Sequence, residues 1–290
     1  MEFVTIAGTD LSVSRIGLGT WAIGGWMWGG SDEAESLATI HAAIAHGINL
    51  IDTAPIYGYG RSEEIVGKAV GSNGLRDKVV IATQAGVDWS DGRPFGQASR
   101  KRILAEAEGS LRRLHTDYID IYQVQWPDPQ IPFEECAEAM ASMLKQGKIR
   151  AIGVSNFSRQ QIHDFRQITN IHAVQWTYNL FERELEHEVL PYCRSNAIAI
   201  LACGPLCRGL LSGRMRPDTT FMGDDLRKSD RKFQPPQYSR YLSSVAKLDR
   251  LAHESYGRRV LHLALRWVLD QPGVSVAIWG ARQPQQLQPF

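Results

Sequence analysis

The feature that most constrains the fold is a regular alternation of short apolar runs with longer amphipathic segments along nearly the whole chain. The apolar runs are rich in Ile and Val without strict alternation, which is typical of strands buried on both faces. Repeated strand–helix units predict parallel strands joined by right-handed crossovers. Eight such strands close a (β/α)8 barrel of the TIM type, whereas five or six form an open sheet. The predicted strands are residues 15–21, 49–54, 79–84, 118–125, 149–156, 173–179, 198–203 and 274–279.

Helical spacing of apolar residues predicts an outer layer between these strands. The predicted helices are residues 32–46, 62–70, 100–114, 133–146, 159–167, 184–195, 241–256 and 260–270. A hairpin formed by residues 3–6 and 11–13 is expected to close the bottom of the barrel. We expect one domain over residues 1–290, since a barrel of this class needs ~250 residues.

The last part of the sequence departs from a regular barrel. Only residues 280–290 follow the eighth predicted strand, and they contain two prolines. We therefore expect the eighth outer helix to be truncated or missing, which would leave apolar surface uncovered on the first and seventh helices. A second copy of the chain would cover that surface, so the sequence suggests either a homo-oligomer or a barrel of marginal stability.

Composition excludes several classes of protein. Lys and Arg number 32 against 31 Asp and Glu, a balance that argues against nucleic-acid or membrane-surface binding. No apolar run approaches the ~20 residues of a membrane span, and we expect no secretory signal. The four cysteines lack disulfide-framework or zinc-ligand spacing, so we expect no metal and a cytoplasmic location.

Two side chains near the second predicted strand suit proton transfer. Asp52 ends an apolar strand and so needs a partner for its carboxyl group; its alternative role is to cap the next helix. Tyr57 follows after a turn that contains a proline, and a phenol placed over a barrel mouth can act as a general acid. Its alternative role is that of a packed aromatic residue.

Other polar residues end the remaining strands. Gln84 and Gln125 place neutral amides at the mouth, where they can orient a carbonyl group but do not titrate. Ser155 and Asn156 suit either ligand binding or helix capping. At Gly280, Ala281 and Arg282, backbone N–H groups and the Arg282 guanidinium can hold a phosphate.

The sequence does not support a Rossmann or P-loop nucleotide-binding site. Residues 17–22 fit only the looser form of the dinucleotide-binding motif, and they lie inside the first predicted strand. Two long loops, residues 87–98 and 214–237, are expected to overhang the mouth and to serve function.

Taken together, the motifs resemble the aldo-keto reductase superfamily, in particular its bacterial aryl-alcohol dehydrogenase and potassium-channel β-subunit-like branch. The matching segments are GLGTW (17–21), IDTA (51–54), YG (57–58), YIDIY (118–122), WPD (126–128), GKIRAIGVSNF (147–157), YN (178–179), GLLSG (209–213), ALRWVL (264–269) and GAR (280–282).

The resemblance implies a carbonyl reductase that binds NADPH across the barrel mouth without a Rossmann domain. Tyr57 would protonate the substrate oxygen, supported by Asp52, while hydride passes from the nicotinamide to a small aldehyde or ketone. The resemblance implies a substrate pocket of Trp21, Trp89 and Trp126 beside Tyr57. The implied cofactor-binding residues are Gly19, Thr20, Trp21, Asp52, Ser155, Asn156, Gln175, Cys203, Gly204, Pro205, Leu206, Arg208, Gly209, Leu210, Arg214, Gly280, Arg282 and Gln286.

Three positions depart from the family pattern. Gln84 stands where the resemblance implies a catalytic lysine, and Gln125 where it implies a histidine. Cys203 replaces an aromatic residue that stacks on the nicotinamide. A lysine cation lowers the proton affinity of a nearby tyrosine, which a neutral amide cannot do. The sequence thus supports a reductase with impaired or altered activity, and alternatively an inactive NADPH-binding regulatory or repurposed protein, or a product of no defined function.

Overall fold

The protein forms a closed barrel of eight parallel strands, as predicted. The computed structural model describes residues 1–71, 74–90 and 93–287. Its strands are β1 (Phe3–Thr5), β2 (Ser12–Ser14), β3 (Ile16–Gly19), β4 (Leu50–Asp52), β5 (Val80–Ala85), β6 (Val87–Ser90), β7 (Arg93–Gly96), β8 (Ile119–Val124), β9 (Ile149–Ser155), β10 (Ala173–Thr177), β11 (Ala199–Cys203) and β12 (Val274–Gly280). The barrel order is β10-β11-β12-β3-β4-β5-β8-β9.

The outer layer consists of helices at or near the predicted places, except that the first of them was not predicted and begins at Trp21, which was expected to end the first strand. They are α1 (Trp21–Gly24), α2 (Glu33–Ala45), α3 (Arg61–Gly71), α4 (Arg100–Leu114), α5 (Phe133–Lys145), α6 (Arg159–Arg166), α7 (Val189–Ser195), α8 (Gln237–Tyr256) and α9 (Val260–Asp270). Capping residues determine where several of these helices begin. Before α2, the Asp32 carboxylate accepts a hydrogen bond from Glu35 N. Ser158 and Gln161 form a reciprocal capping box before α6.

The barrel interior is layered from apolar to polar. The β1–β2 hairpin region contributes Ile6, Leu11 and Val13 to the lower cluster, which continues upward through Leu50 and Ile121. Because inward positions recur every second residue along a strand, the next inward positions are polar. They are Asp52, Gln84, Gln123 and Gln175, all at most 3% exposed, and we call them the polar layer.

Three predictions need correction. Residues 87–98, predicted as a loop, contain the antiparallel β6–β7 pair. The predicted helix over residues 184–195 is split into the 3₁₀ turn Glu184–Glu186 and α7. The helix predicted from residue 241 begins at Gln237, and the rest of the 214–237 loop includes two 3₁₀ turns.

The segment after β12 forms only the 3₁₀ turn Pro284–Gln286 up to residue 287, where the described part of the chain ends. That turn packs against α2, and Leu287 is fully buried in the main core. The tail therefore covers part of the side of the barrel that was expected to be open.

No helix in the described ranges is long and apolar enough to cross a membrane. Among the same residues, no group of three or more His, Cys, Asp or Glu side chains is placed to hold a metal ion.

The close packing of α3 on α4 yields a stability prediction. A Cβ on Gly67 would lie 2.8 Å from the Leu114 carbonyl carbon, whereas a Cβ on Gly71 would meet nothing within 4 Å. We expect Gly67→Ala to lower the free energy of unfolding by about 2 kcal/mol through overpacking. Gly71→Ala on the same helix is the control and should leave it unchanged or raise it by up to about 1 kcal/mol. Urea unfolding measures both, and equal effects would contradict the packing argument.

Candidate active site

A chain of side-chain hydrogen bonds joins buried Asp52 to Tyr57 at the barrel mouth. Gln175 Nε2 donates to Asp52 Oδ1 at 2.6 Å. Gln84 Nε2 donates both to Gln175 Oε1 at 3.2 Å and to Tyr57 Oη at 3.3 Å. The structure thus brings together four residues singled out from the sequence, and the link between Asp52 and Tyr57 runs through two neutral amides.

The ionised Asp52 carboxylate fixes the orientation of both amides. A carboxylate only accepts, so Gln175 must turn its NH2 group toward Asp52 and its carbonyl toward Gln84. Gln84 must then present its own NH2 group to Gln175, which aims Gln84 Oε1 elsewhere. That oxygen is buried and has no hydrogen-bond partner in the described part of the chain. A protonated Asp52 could donate instead, and the whole chain could then reverse.

Burial dominates the electrostatics of the site. It raises the pKa of Asp52 to about 7, against the opposing effect of the Gln175 hydrogen bond. The Gln123 amide also lowers this pKa, although it makes no hydrogen bond of normal geometry. Burial, then the charges of Asp52 and Cys203, raise the pKa of Tyr57 well above its usual value. No cationic side chain among the described residues offsets either shift.

Backbone contacts hold Tyr57 in place independently of these charges. Gly24 in α1 lies so close to the Tyr57 carbonyl that a Cβ there would approach it to 2.5 Å. Gly58 has a positive φ of 70° and packs its backbone against Gly24 in return. The Trp21 ring stacks on the Tyr57 ring with centroids 5.9 Å apart. Both glycines are required by this close approach.

The strand that carries Asp52 is fixed by a buried hydroxyl network. Thr20 Oγ1 donates to the Asp52 carbonyl at 2.8 Å, and Ser62 Oγ donates to Thr20 Oγ1 at 2.7 Å. Thr53 Oγ1 donates to Ser62 Oγ at 2.9 Å. The hydroxyl of Thr20, a residue expected to bind cofactor, is therefore engaged within the protein, and Thr20 is fully buried.

The ends of β5 and β9 are held in a similar way. The Glu106 carboxylate of α4 accepts from Gly86 N at 2.7 Å, two residues after Gln84, and burial raises the pKa of Glu106 to about 7. Asn156 adopts a left-handed backbone with φ of 62°, which asparagine tolerates. Its Nδ2 donates to the Gln125 carbonyl and to Ser155 Oγ.

Aromatic rings wall one side of the mouth. Trp21 contacts Trp28 edge-on at 5.5 Å, and Tyr59 lies 5.1 Å from Trp26 and 5.3 Å from Trp89. Trp26, Trp28 and Tyr59 were not singled out from the sequence. The glycine-rich run over residues 24–30, with two tryptophans in it, is the signal that identifies this wall.

The long loop of residues 214–237 crosses toward these rings, and we call it the strap. Asp224 accepts from Met27 N at 2.8 Å and from Gly29 N at 2.9 Å. The Arg227 guanidinium lies 5.0 Å from the Trp28 ring centroid. Asp224 thus joins the strap to the glycine-rich loop of residues 24–30 through both of its carboxylate oxygens, and it is a fourth residue that sequence reasoning missed.

The remaining predicted cofactor residues lie along the same face in several environments. Leu210 is fully buried in a cluster that also contains residues of α8 and α9. Arg208 pairs with Asp230, and Arg214 is exposed. Gly204, Pro205, Leu206 and Gly209 complete the turn after β11, and Gly19 and Gly280 end neighbouring strands.

Cys203 and Trp126, both at the barrel mouth, differ in their exposure to solvent. Cys203 is half-buried beside Thr177 Oγ1 at 3.6 Å, and burial raises the pKa of its thiol to about 12. Trp126 is 51% exposed at the end of β8. Gln125 continues β8 at the mouth, half-buried, and its backbone N donates to the Ala85 carbonyl.

The end of β12 gathers Arg282 and Gln286. Gln286 Oε1 accepts from Arg282 N at 2.8 Å and from Gln283 N at 3.3 Å, so the Arg282 N–H group considered for phosphate binding is engaged. The Arg282 guanidinium donates to the Trp28 carbonyl at 2.9 Å.

Comparison with known proteins identifies the family of the chain. Residues 15–290 match the aldo/keto reductase family. The aldo-keto reductase YhdN of Bacillus subtilis (strain 168) is 58% identical over 288 residues, which cover 99% of this chain and 87% of that protein. The NADH-specific methylglyoxal reductase of Escherichia coli (strain K12) is 34% identical over 303 residues, covering 99% and 92%.

Among solved structures, the glycerol dehydrogenase AKR11B4 from Gluconobacter oxydans is similar with a TM-score of 0.91 at 47% identity, covering 99% of this chain and 88% of that one. The chain therefore belongs to the aldo/keto reductase family, whose members are oxidoreductases that use a nicotinamide cofactor.

The residues at the mouth fit such a cofactor. Trp28 Nε1 is buried without a hydrogen-bond partner in the described part of the chain, which leaves an N–H donor for a ligand. Asn156 and Ser155 offer further polar groups at the end of β9, and Arg282 supplies a cation at the end of β12.

The raised pKa of Asp52 predicts a pH-dependent stability difference. The folded protein binds the Asp52 proton more tightly than the unfolded chain, whose pKa is near the ordinary 3.8, so this residue costs stability as the pH rises toward 7. Asn cannot ionise, so the stability of Asp52→Asn relative to the native chain should rise by about 2 kcal/mol between pH 5 and pH 7 and should level off at about pH 8.

Urea unfolding at a series of pH values measures this difference in stability. Tetramethylammonium is the salt cation, because it is too large to reach a buried carboxylate. Asp10→Asn, at an exposed aspartate, controls for the loss of a carboxyl group. A gain that does not depend on pH would show that Asp52 is not the titrating group.

Proposed function

We propose that the chain is an NADPH-dependent reductase of aldehydes and ketones whose proton transfer is weakened by neutral amides. The observation that carries this is the Tyr57 hydroxyl at the mouth, linked to buried Asp52 through Gln84 and Gln175. Tyr57 Oη accepts from Gln84, so its own proton is available to a substrate oxygen. The bound cofactor would supply hydride to the carbonyl carbon.

The proposed weakness lies in the tyrosinate that proton transfer leaves behind. This anion would form near the Asp52 carboxylate, with only the Gln84 N–H group to stabilise it. A general acid works best when its pKa lies near the working pH, and that of Tyr57 lies far above. Gln125, which follows β8 at the mouth, would donate a hydrogen bond to the substrate oxygen and so orient the carbonyl group without titrating.

The aromatic wall supports an aryl or other apolar carbonyl compound as substrate. Trp21, Trp26, Tyr59 and Trp89 present ring faces and edges to one side of the mouth, and such rings favour flat apolar ligands. The four cysteines are free thiols, which is consistent with a cytoplasmic location.

The absence of a cationic side chain among the polar-layer residues favours a second function. A barrel that binds NADPH as a regulatory or repurposed protein needs no cation beside Tyr57. It would bind the cofactor without oxidising it when an aldehyde is present.

The native chain's own rate of NADPH oxidation separates these functions, since the regulatory barrel would show none. The double change Gln84→Lys with Gln125→His tests the proposed weakness. The ammonium group would lower the pKa of Tyr57 and pair with Asp52. We expect single-turnover NADPH oxidation with an activated aromatic aldehyde to rise by ~100- to 10,000-fold. Tyr57→Phe in the same background should return the rate to the background level. If the native chain already matches the double variant, Tyr57 works without the cation and the proposed weakness is wrong.

The preference for NADPH is tested at Arg282. A guanidinium on the adenosine 2′-phosphate makes charge-assisted hydrogen bonds, so we expect Arg282→Ala to weaken NADPH binding ~10- to 100-fold and to leave NADH binding nearly unchanged. Fluorescence titration measures both. Arg194→Ala, an exposed arginine in α7 far from the mouth, is the control. Equal losses for the two cofactors would contradict recognition of the 2′-phosphate.

A further inference from the structure

Two glutamine side chains of the polar layer contain buried polar atoms without partners. Gln84 is 1% exposed and Gln123 is fully buried. Gln84 Oε1 and both side-chain polar atoms of Gln123 lack a hydrogen-bond partner in the described part of the chain. Buried polar atoms are nearly always satisfied in folded proteins, so each such atom needs an explanation.

These atoms share one region inside the barrel. Gln84 and Gln123 are register partners on the adjacent strands β5 and β8. Gln123 extends across β9 where Gly153 has no side chain: a Cβ on Gly153 would lie 2.7 Å from Gln123 Cγ and 3.4 Å from Gln123 Oε1. Gly153 therefore leaves room for the Gln123 amide to lie toward the barrel axis.

The same region contains a buried carboxylate without a counter-ion. Asp52 is 3% exposed, and it accepts a hydrogen bond from the neutral amide of Gln175. An isolated buried carboxylate is unfavourable unless a charge or a proton neutralises it. The other titratable groups that act on this region, Tyr57 and Cys203, contribute no positive charge.

The available ligands define the kind of ion that would fit. Amide and carboxylate oxygens suit hard cations. Only one carboxylate is present among the polar-layer residues, which is too little negative charge for a typical divalent site. A monovalent cation would neutralise Asp52 without adding excess charge.

We propose that the polar layer binds a monovalent alkali cation, held by Gln84 Oε1, Gln123 Oε1 and the Asp52 carboxylate. The cation replaces the proton that Asp52 would otherwise carry, and it keeps Gln175 and Gln84 in the orientation described above. Where the proposed reductase function holds, its charge also stabilises the tyrosinate at Tyr57, which is the only part of the proposal that rests on that function.

The binding test needs neither cofactor nor turnover. Protonation of Asp52 is followed by difference infrared spectroscopy of its carboxyl group, with Asp52→Asn as the reference, in potassium, sodium or tetramethylammonium chloride at equal ionic strength. Thallium-205 resonance with the full chain measures direct binding and its competition by potassium. We expect the Asp52 midpoint to fall by at least one pH unit in potassium or sodium, and one thallium ion to bind per chain.

Two variants assign the ligands. Gln123→Leu removes one amide and should abolish both the thallium signal and the shift in midpoint, whereas Gln160→Leu, at an exposed position of α6, should change neither. Gln84→Lys should abolish them as well, because its ammonium would pair with Asp52. Even if Gln123→Leu does not fold, the salt comparison on the native chain and Gln84→Lys decide the question.

The opposite results are equally definite. The same Asp52 midpoint in all three salts, with no thallium bound, would overturn the proposal and show that a proton or water satisfies the layer. A midpoint shift that survives in Gln123→Leu would also overturn the assigned ligands. Cation binding in a chain that reduces no carbonyl would leave the site standing and reject only the reductase function.

Discussion

The hydrogen bond from Gln175 to Asp52 is the interaction on which the arrangement of the site depends. It is short, at 2.6 Å, it is buried, and it involves the one carboxylate of the polar layer. Because that carboxylate can only accept while ionised, it sets the direction of the Gln175 amide and then of the Gln84 amide. The direction of the hydrogen bond from Gln84 to Tyr57 is therefore set by Gln175, which lies on β10 across the barrel from β4.

A second constraint operates above this layer, in the loops. Tyr57 is held by backbone contact with α1, β5 is held at Gly86 by Glu106, and the strap is held to the glycine-rich loop by Asp224. These contacts use backbone groups and carboxylates outside the polar layer. One set of residues therefore holds the loops and Tyr57 in position, and a different set, the polar layer, determines the charge near Tyr57.

The sequence was informative where periodicity and strand ends determine position. Alternation of apolar runs and amphipathic segments predicted the eight strands, and the last residues of those strands predicted the face on which Asp52, Gln84 and Gln175 meet. Their exact pairing was not predictable, because the direction of each amide depends on hydrogen bonds made across the barrel. The β6–β7 pair was missed because its Asp- and Gly-rich sequence is typical of a loop. Asp224 was missed because its contacts with Met27 and Gly29 join segments about 200 residues apart in the chain, for which no local pattern exists.

The backbone contact between Gly24 and Gly58 has a consequence for how this chain can change over generations. Since it fixes the tyrosine without help from any charged group, the residues at positions 84 and 125 can vary in charge while the phenol stays where it is. Codons for glutamine differ from those for lysine and for histidine at a single base. Two point mutations in the gene are therefore enough to place a lysine and a histidine at the mouth, and the fold need not change.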